Sequence, residues 1–253
     1  ILSGSITKGL IAMSIPIMIM NVAQTLFNII DMTILGQLVN DSAVGAVGAS
    51  GTLISMFTVL LIGISSGANI VIAKHLGSKH IGKAEDTVGT AIIFSIIGSI
   101  IIGALGIVFS KGLLRLTNCP ESLMQDATLY CRIYFCGVPF LMLYNFCASI
   151  LRSTGDSKRP MYFLLLAGLV KLILNYGFIV LFNAGVAGVA IATIISMIVA
   201  SALALHTIFK KVSDFNMTLT KIKLSFSELR SMLYIGIPTG LQSALYTLAN
   251  LVI

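Results

Sequence analysis

The sequence predicts an all-α, polytopic membrane protein: a six-helix transmembrane bundle forming one lobe, followed by the first helix of a second lobe. Three observations predict this. Of the 253 residues, 57% are apolar and only 10% are charged, against roughly a quarter charged in soluble domains, which excludes an ordinary cytosolic globule. Stretches with few or no charges recur at 10–35, 43–73, 87–110, 128–151, 160–182, 186–209 and from 229 onward, each near or above the about 20 residues that a helix needs to cross hydrocarbon. The basic residues, finally, alternate by side.

A net charge of +7 would also suit a nucleic-acid binder, but its placement reads as topology, and no nucleic-acid partner is expected. With the N-terminus cytoplasmic, the inner segments hold Lys8, then Lys74, Lys79 and Lys83, then Arg152, Lys158 and Arg159, then Lys210, Lys211, Lys221, Lys223 and Arg230. The outer segments hold only Lys111, Arg115 and Arg132, and the remaining base is Lys171, inside a span.

The first stretch carries Asp31, the one carboxylate inside a span. Asn21, Gln24, Asn28 and Asp31 recur three or four residues apart, which places them on one helical face. Such a stripe either lines a pathway or holds helices together by hydrogen bonds of modest worth; the acid favours a substrate or ion pathway. The stretch is too long and too lightly basic at its start for a cleaved signal peptide. The chain opens with Ile1 rather than Met, so residues are expected ahead of it.

The second stretch contains Gly63 and Gly67, and "GAVGASG" at 45–51 places small residues at helical intervals. Neither follows a strand, so both read as close helix packing and not as a nucleotide loop. Cys119, Cys131, Cys136 and Cys147 lie in or beside the hairpin of the third and fourth stretches without paired spacing, as packing cysteines would. His75 and His80 fall in a cytoplasmic loop and His206 at the end of the sixth stretch. No spacing among them matches a zinc site, and no nucleophile–base pair or phosphate loop is present, so the chain does not read as an enzyme or as needing a cofactor.

The fifth stretch, "LLLAGLVKLILNYGF" at 164–178, holds Lys171, with Asn175 one turn on along the same face. A lysine at the centre of a membrane helix costs about 2.5–3.5 kcal/mol, so something should compensate it. One possibility is snorkelling toward the inner surface. Pro160, at the start of that helix, is roughly 16 Å away at 1.5 Å per residue, a long reach that favours a buried pairing or a wet cavity.

The seventh stretch repeats the first. "SIPIMIMNVAQTLFNII" at 14–30 aligns without a gap to "GIPTGLQSALYTLANLV" at 236–252, returning Ile15, Pro16, Thr25, Leu26 and Asn28 as Ile237, Pro238, Thr247, Leu248 and Asn250. Six helices between copies make the repeat parallel, as in transporters built from two like-oriented halves. The expected organisation is therefore a six-helix lobe at 1–209, a cytoplasmic linker at 210–228, and the start of a second lobe at 229–253. In the linker, Ser225 and Glu228 have the spacing of a capping box, and the alternation from Met217 to Phe226 admits an interfacial segment as an alternative. Pro16 and Pro238 each remove a helical hydrogen bond at equivalent points of the two copies, which reads as a hinge.

These stretches resemble the multidrug and toxic compound extrusion (MATE) transporters, in particular their bacterial drug-exporting branch. The resemblance is carried by "SIPIMIMNVAQTLFNIIDMTILG", "GISSGANIVIAKHLGSK", "ILRSTGDSKRPMYF", "LNYGFIVLFNAGVAGVAIAT" and "IGIPTGLQSALYTLAN", which together cover essentially the whole chain. It implies twelve helices in two lobes around a central cavity, in the bacterial inner membrane, exporting amphipathic organic cations in exchange for H+ or Na+ by alternating access. It also implies a first-lobe cation site comprising Asp31, an amide pair whose second member is Asn175, Thr193, and the carbonyl of Val189. The first member of that amide pair is Lys171 here. The departure suggests that the ammonium takes or neighbours the cation's place and pairs with Asp31, leaving a Na+ site in this lobe doubtful. The alternatives are a lipid-linked oligosaccharide flippase of the same architecture and a membrane scaffold that transports nothing. A flippase cavity should be rich in arginine and lysine, and a scaffold gains nothing from charge at depth.

Overall fold

The computed structural model describes residues 6–211 and 222–252. Its elements are α1 (Ile6–Leu38), α2 (Asp41–Gly77), α3 (Ile81–Leu116), α4 (Met124–Ser153), α5 (Lys158–Phe182), α6 (Gly185–Lys211) and α7 (Phe226–Val252), with one 3₁₀ turn at Glu121–Leu123. Helices α1 to α6 are long and apolar enough to cross a membrane, making this a multi-pass membrane protein. Helix α7 forms as expected but carries Glu228 and Arg230 in its first turns.

The helices overrun the apolar stretches, because their charged end turns extend past the hydrocarbon-length segment. His75, expected in a loop, therefore sits in the last turn of α2. His206 lies within α6, which continues to Lys211. Local signals set the ends: the Asn40 side chain caps α2 by accepting from the Ala43 N–H at 2.8 Å, and Asn183, with φ 48°, closes α5 in the left-handed conformation. Pro16, Pro139 and Pro238 are all internal to helices that are continuous through them. Pro16 is buried, whereas Pro238 is exposed.

Helix α4 is the innermost element and packs against α2, α3 and α6. It contributes Phe135, Met142, Phe146, Ile150 and Leu151, all fully buried. Phe135 meets Phe57 edge-on at 5.5 Å, and Phe146 meets Phe94 at 5.9 Å. Gly106 makes room for Phe135, whose ring occupies the space a Cβ would need. Helix α1 is peripheral, packing chiefly along α5. There Gly168 receives the ring of Phe27, and a Cβ at Gly168 would overlap that ring.

Helix α7 touches α2 and α3 and no other described helix. The crossing with α2 is backbone on backbone, as small residues permit. A Cβ on Gly236 would stand 2.6 Å from the Ile64 carbonyl oxygen, and one on Gly240 2.8 Å from that of Leu60. Gly63 and Gly67 face the same two glycines from the α2 side, so their spacing is spent on this crossing, whereas Gly45 in the 45–51 run packs on Leu123 instead.

Neither side-chain bond of the capping box is made among the described residues. Ser225 stands at the N-cap position, and its carbonyl accepts from the Leu229 N–H at 2.9 Å. Its own N–H, however, donates to Thr90 Oγ1 at 2.9 Å. Glu228 turns away from Ser225 toward α2 and α3: its Oε2 accepts from Thr87 Oγ1 at 3.1 Å and bonds His75 Nε2 at 2.9 Å. Tertiary partners that include an imidazole satisfy a buried carboxylate better than one local amide does. Of the linker read at 210–228, residues 226–228 are helical and 212–221 lie outside the described residues. The first half of the alternating segment from Met217 to Phe226 falls there.

Candidate functional site

Helix α1 presents Asp31 toward α5, and the Phe27–Gly168 contact one turn away sets how closely the two helices approach. Asp31 is 5% exposed. The Lys171 ammonium donates to Asp31 Oδ2, with both side chains largely withdrawn from solvent. The amide nitrogen of Asn175, one turn further along α5, donates to Asp31 Oδ1. Both carboxylate oxygens are thus taken by donors from a single helix face, the arrangement a charged pair needs if it is to survive burial.

Asn175 is fully buried, and its Oδ1 has no hydrogen-bond partner within the described protein. A buried carbonyl-type oxygen without a donor is uncommon and costs about 1–3 kcal/mol. The site therefore has one acceptor left over beside a neutralised carboxylate.

The remaining implied residues divide. Val189 and Thr193 are on α6, and Thr193 Oγ1 donates back to the Val189 carbonyl at 2.8 Å. Val189 packs in a cluster with Leu35 from α1 and Ile179 from α5, beside the acid. Thr193 instead lines a small cavity with Tyr134, Gly137, Leu141, Ile194 and Met197, and no hydrogen bond joins it to Asp31 or Asn175 among the described residues.

The stripe expected on α1 is split in the fold. Asp31 is buried, while Asn21, Gln24 and Asn28 are exposed. Asn28 lines an open hollow with Thr25, Ile29, Met32 and Thr33. Four residues on one helical face need not share an environment when only one end of that face meets a neighbour.

Sequence reasoning missed Tyr130. It is buried on α4 in the cluster that holds Val189, close enough to Asp31 for the two to interact electrostatically. Its ring lies 6.4 Å from that of Tyr134, whose hydroxyl is 3.3 Å from Thr58 Oγ1. The signal available was two tyrosines one turn apart, "YCRIY" at 130–134.

The MatE family profile matches residues 16–177. The probable multidrug resistance protein YpnP of Bacillus subtilis is 32% identical over 96% of this chain and 54% of its own length. The FAD transporter of Shewanella oneidensis is 26% identical over 100% of this chain and 57% of its own. The chain thus spans about half the length of the curated relatives it matches. Among solved structures, the outward-facing conformation of a multidrug resistance MATE family transporter of the MOP superfamily superposes with a TM-score of 0.87 at 27% identity, over 95% of this chain and 53% of the other. An inward-facing conformation of such a transporter superposes at 0.81 and 26% identity, over 95% and 55%.

Proposed function

The chain belongs to the MATE family of transporters, and from that premise we propose that it is the N-terminal six-helix lobe of a multidrug exporter together with the start of the second. In this reading residues 1–209 form the lobe, 210–228 the cytoplasmic linker and 229–253 the first helix of the partner lobe. The protein works in the bacterial inner membrane with its N-terminus cytoplasmic. It exchanges amphipathic organic cations for H+ or Na+ by alternating access, with lipid around it and no role for nucleic acid.

The observation that carries the proposal is the buried Asp31–Lys171 pair. A scaffold has no use for charge at this depth, whereas a transporter needs a carboxylate whose partner can change as a cation or proton arrives. Asp31 is the exchanged carboxylate, Lys171 its resident counter-charge and Asn175 the amide that orients it. Val189 forms the neighbouring wall, Thr193 braces its carbonyl from the adjoining cavity, and the Asn28 and Gln24 amides line the approach. Pro16 and Pro238 are the hinge candidates.

The residues present do not suit Na+ at Asp31. A hard cation wants several oxygen ligands and no adjacent fixed positive charge, and here an ammonium already holds one carboxylate oxygen. The ion exchanged through this lobe is accordingly a proton, and any Na+ dependence belongs to residues outside it.

The test is efflux of a fluorescent organic cation from cells expressing the full-length protein, with Asp31→Asn and Lys171→Asn beside it. Loss of efflux in Asp31→Asn supports the site. Na+-dependent efflux appearing only in Lys171→Asn supports the ammonium as the cation's substitute. Well-expressed wild type that moves none of several dyes overturns the drug-export reading in favour of a lipid-linked or other anionic substrate, with Lys171 as its phosphate contact.

A further inference from the structure

The polar bonds between α7 and the rest of the bundle gather at one end. In the middle of the α2–α7 crossing, Gly63 and Gly67 meet Gly236 and Gly240, and among the described residues no side-chain hydrogen bond joins the helices there: the α7 hydroxyls of Thr239 and Ser243 donate to their own helix. At the other end, Glu228 bonds His75 on α2 and Thr87 on α3, and the Ser225 N–H bonds Thr90 on α3. The strand of chain just before α7 lies flat on α3 as well. A Cβ on Gly89 would stand 3.0 Å from the Lys223 nitrogen and 3.3 Å from the Ile222 Cα. His75 is roughly 18 Å along α2 from Gly63 at 1.5 Å per residue.

We infer that the Glu228–His75–Thr87 and Ser225–Thr90 bonds are the latch of the cytoplasmic gate, and that the glycine crossing is the fulcrum about which the latch opens. The inference rests on the alternating-access reading above, in which α1–α6 and α7 belong to different lobes.

Three observations support it. Positive-inside placement puts the end of α2 and the starts of α3 and α7 on the cytoplasmic side. Residue Glu228 is 9% exposed, and a buried carboxylate bonded to two other helices fixes one geometry and no other. A backbone-on-backbone crossing offers no interdigitated side chains to resist a change of angle, so the polar end decides whether the helices stay together.

Locking the latch tests the inference. The hydrogen bond from the Ser225 N–H to Thr90 Oγ1 holds the two Cα atoms within disulfide range by covalent geometry. In the full-length protein with Cys119, Cys131, Cys136 and Cys147 replaced, Thr90→Cys with Ser225→Cys is oxidised by copper phenanthroline in vesicles, and the cross-link is scored by protection from maleimide-polyethylene glycol. Efflux of ethidium should fall at least about tenfold and return on reduction; full efflux from fully cross-linked protein overturns the inference.

A second measurement needs no substrate, so it separates failure of the latch from failure of the export reading. Spin labels at the exposed positions Lys79 and Arg230 report the separation of α3's start from α7. Glu228→Ala and His75→Ala should each raise the long-distance population several-fold over wild type, with Glu228→Gln closer to wild type. A distribution unmoved by either alanine variant overturns the inference, whatever the dyes do.

Discussion

The ring of Phe27 lies against the bare Cα of Gly168, one turn from the pair that Asp31 makes with Lys171. That contact sets the distance between α1 and α5, and hence whether a carboxylate on one helix can meet an ammonium on the other. Gly168→Ala puts a methyl group where the ring now is. The expected cost is about 1–3 kcal/mol from overpacking, read as a lower unfolding temperature in detergent. Phe27→Leu in the same protein should recover most of the loss; failure to recover would mean the contact is not what spaces the helices.

The charged pair should behave as a unit. Lys171→Met strands a buried carboxylate and should cost about 3–5 kcal/mol, as does breaking other buried pairs. Adding Asp31→Asn removes the stranded charge, so the double variant should be more stable than Lys171→Met alone. Thermal unfolding of the wild type, the two single variants and the double variant measures the coupling. Strict additivity would show that the two side chains do not meet.

Cys119 lies in the connection between α3 and α4. Burial pushes its thiol pKa up, and the nearby Glu121 carboxylate adds to the rise. A raised pKa leaves less thiolate at neutral pH, so maleimide should react more slowly than with an ordinary cysteine, and its rate should climb only at higher pH. Glu121→Gln should speed the reaction at neutral pH by removing the second cause. If the topology is as the charges predict, the reagent reaches this cysteine from outside the cell.

Pro16 is buried within a continuous α1. If it is a hinge, Pro16→Ala should restore a helical hydrogen bond, stabilise the protein by up to about 3 kcal/mol, and slow efflux at the same time. Unchanged efflux from a stabilised variant would remove the hinge role.

Most of the helical layout was legible because hydrocarbon imposes it: long apolar runs leave the backbone no choice but to bond within itself. Asp31, Lys171 and Asn175 were legible for a related reason, since polar groups at depth are costly enough to stand out. What the sequence could not supply were choices among partners. Glu228 has a local use at Ser225 and a distant one at His75 and Thr87, and only the packing of α7 on α2 and α3 decides between them. Asn21, Gln24 and Asn28 share a face with Asp31, yet α5 covers only one end of it. Tyr130 looked like one more aromatic in a core helix until it proved to share a cluster with Leu35 of α1 and Val189 of α6.

Asp31 and Asn175 are 144 residues apart in the chain, and this has a bearing on how the protein is made. At about 5–20 residues per second of synthesis, α1 emerges roughly 7–30 s before the amide and ammonium that will neutralise its carboxylate. For that interval a helix bearing an unpaired acid must wait at the insertion machinery or at the bilayer edge, where it carries a cost of a few kcal/mol. Helix α1 is therefore written well before it can settle, and its seating is completed only when α5 arrives.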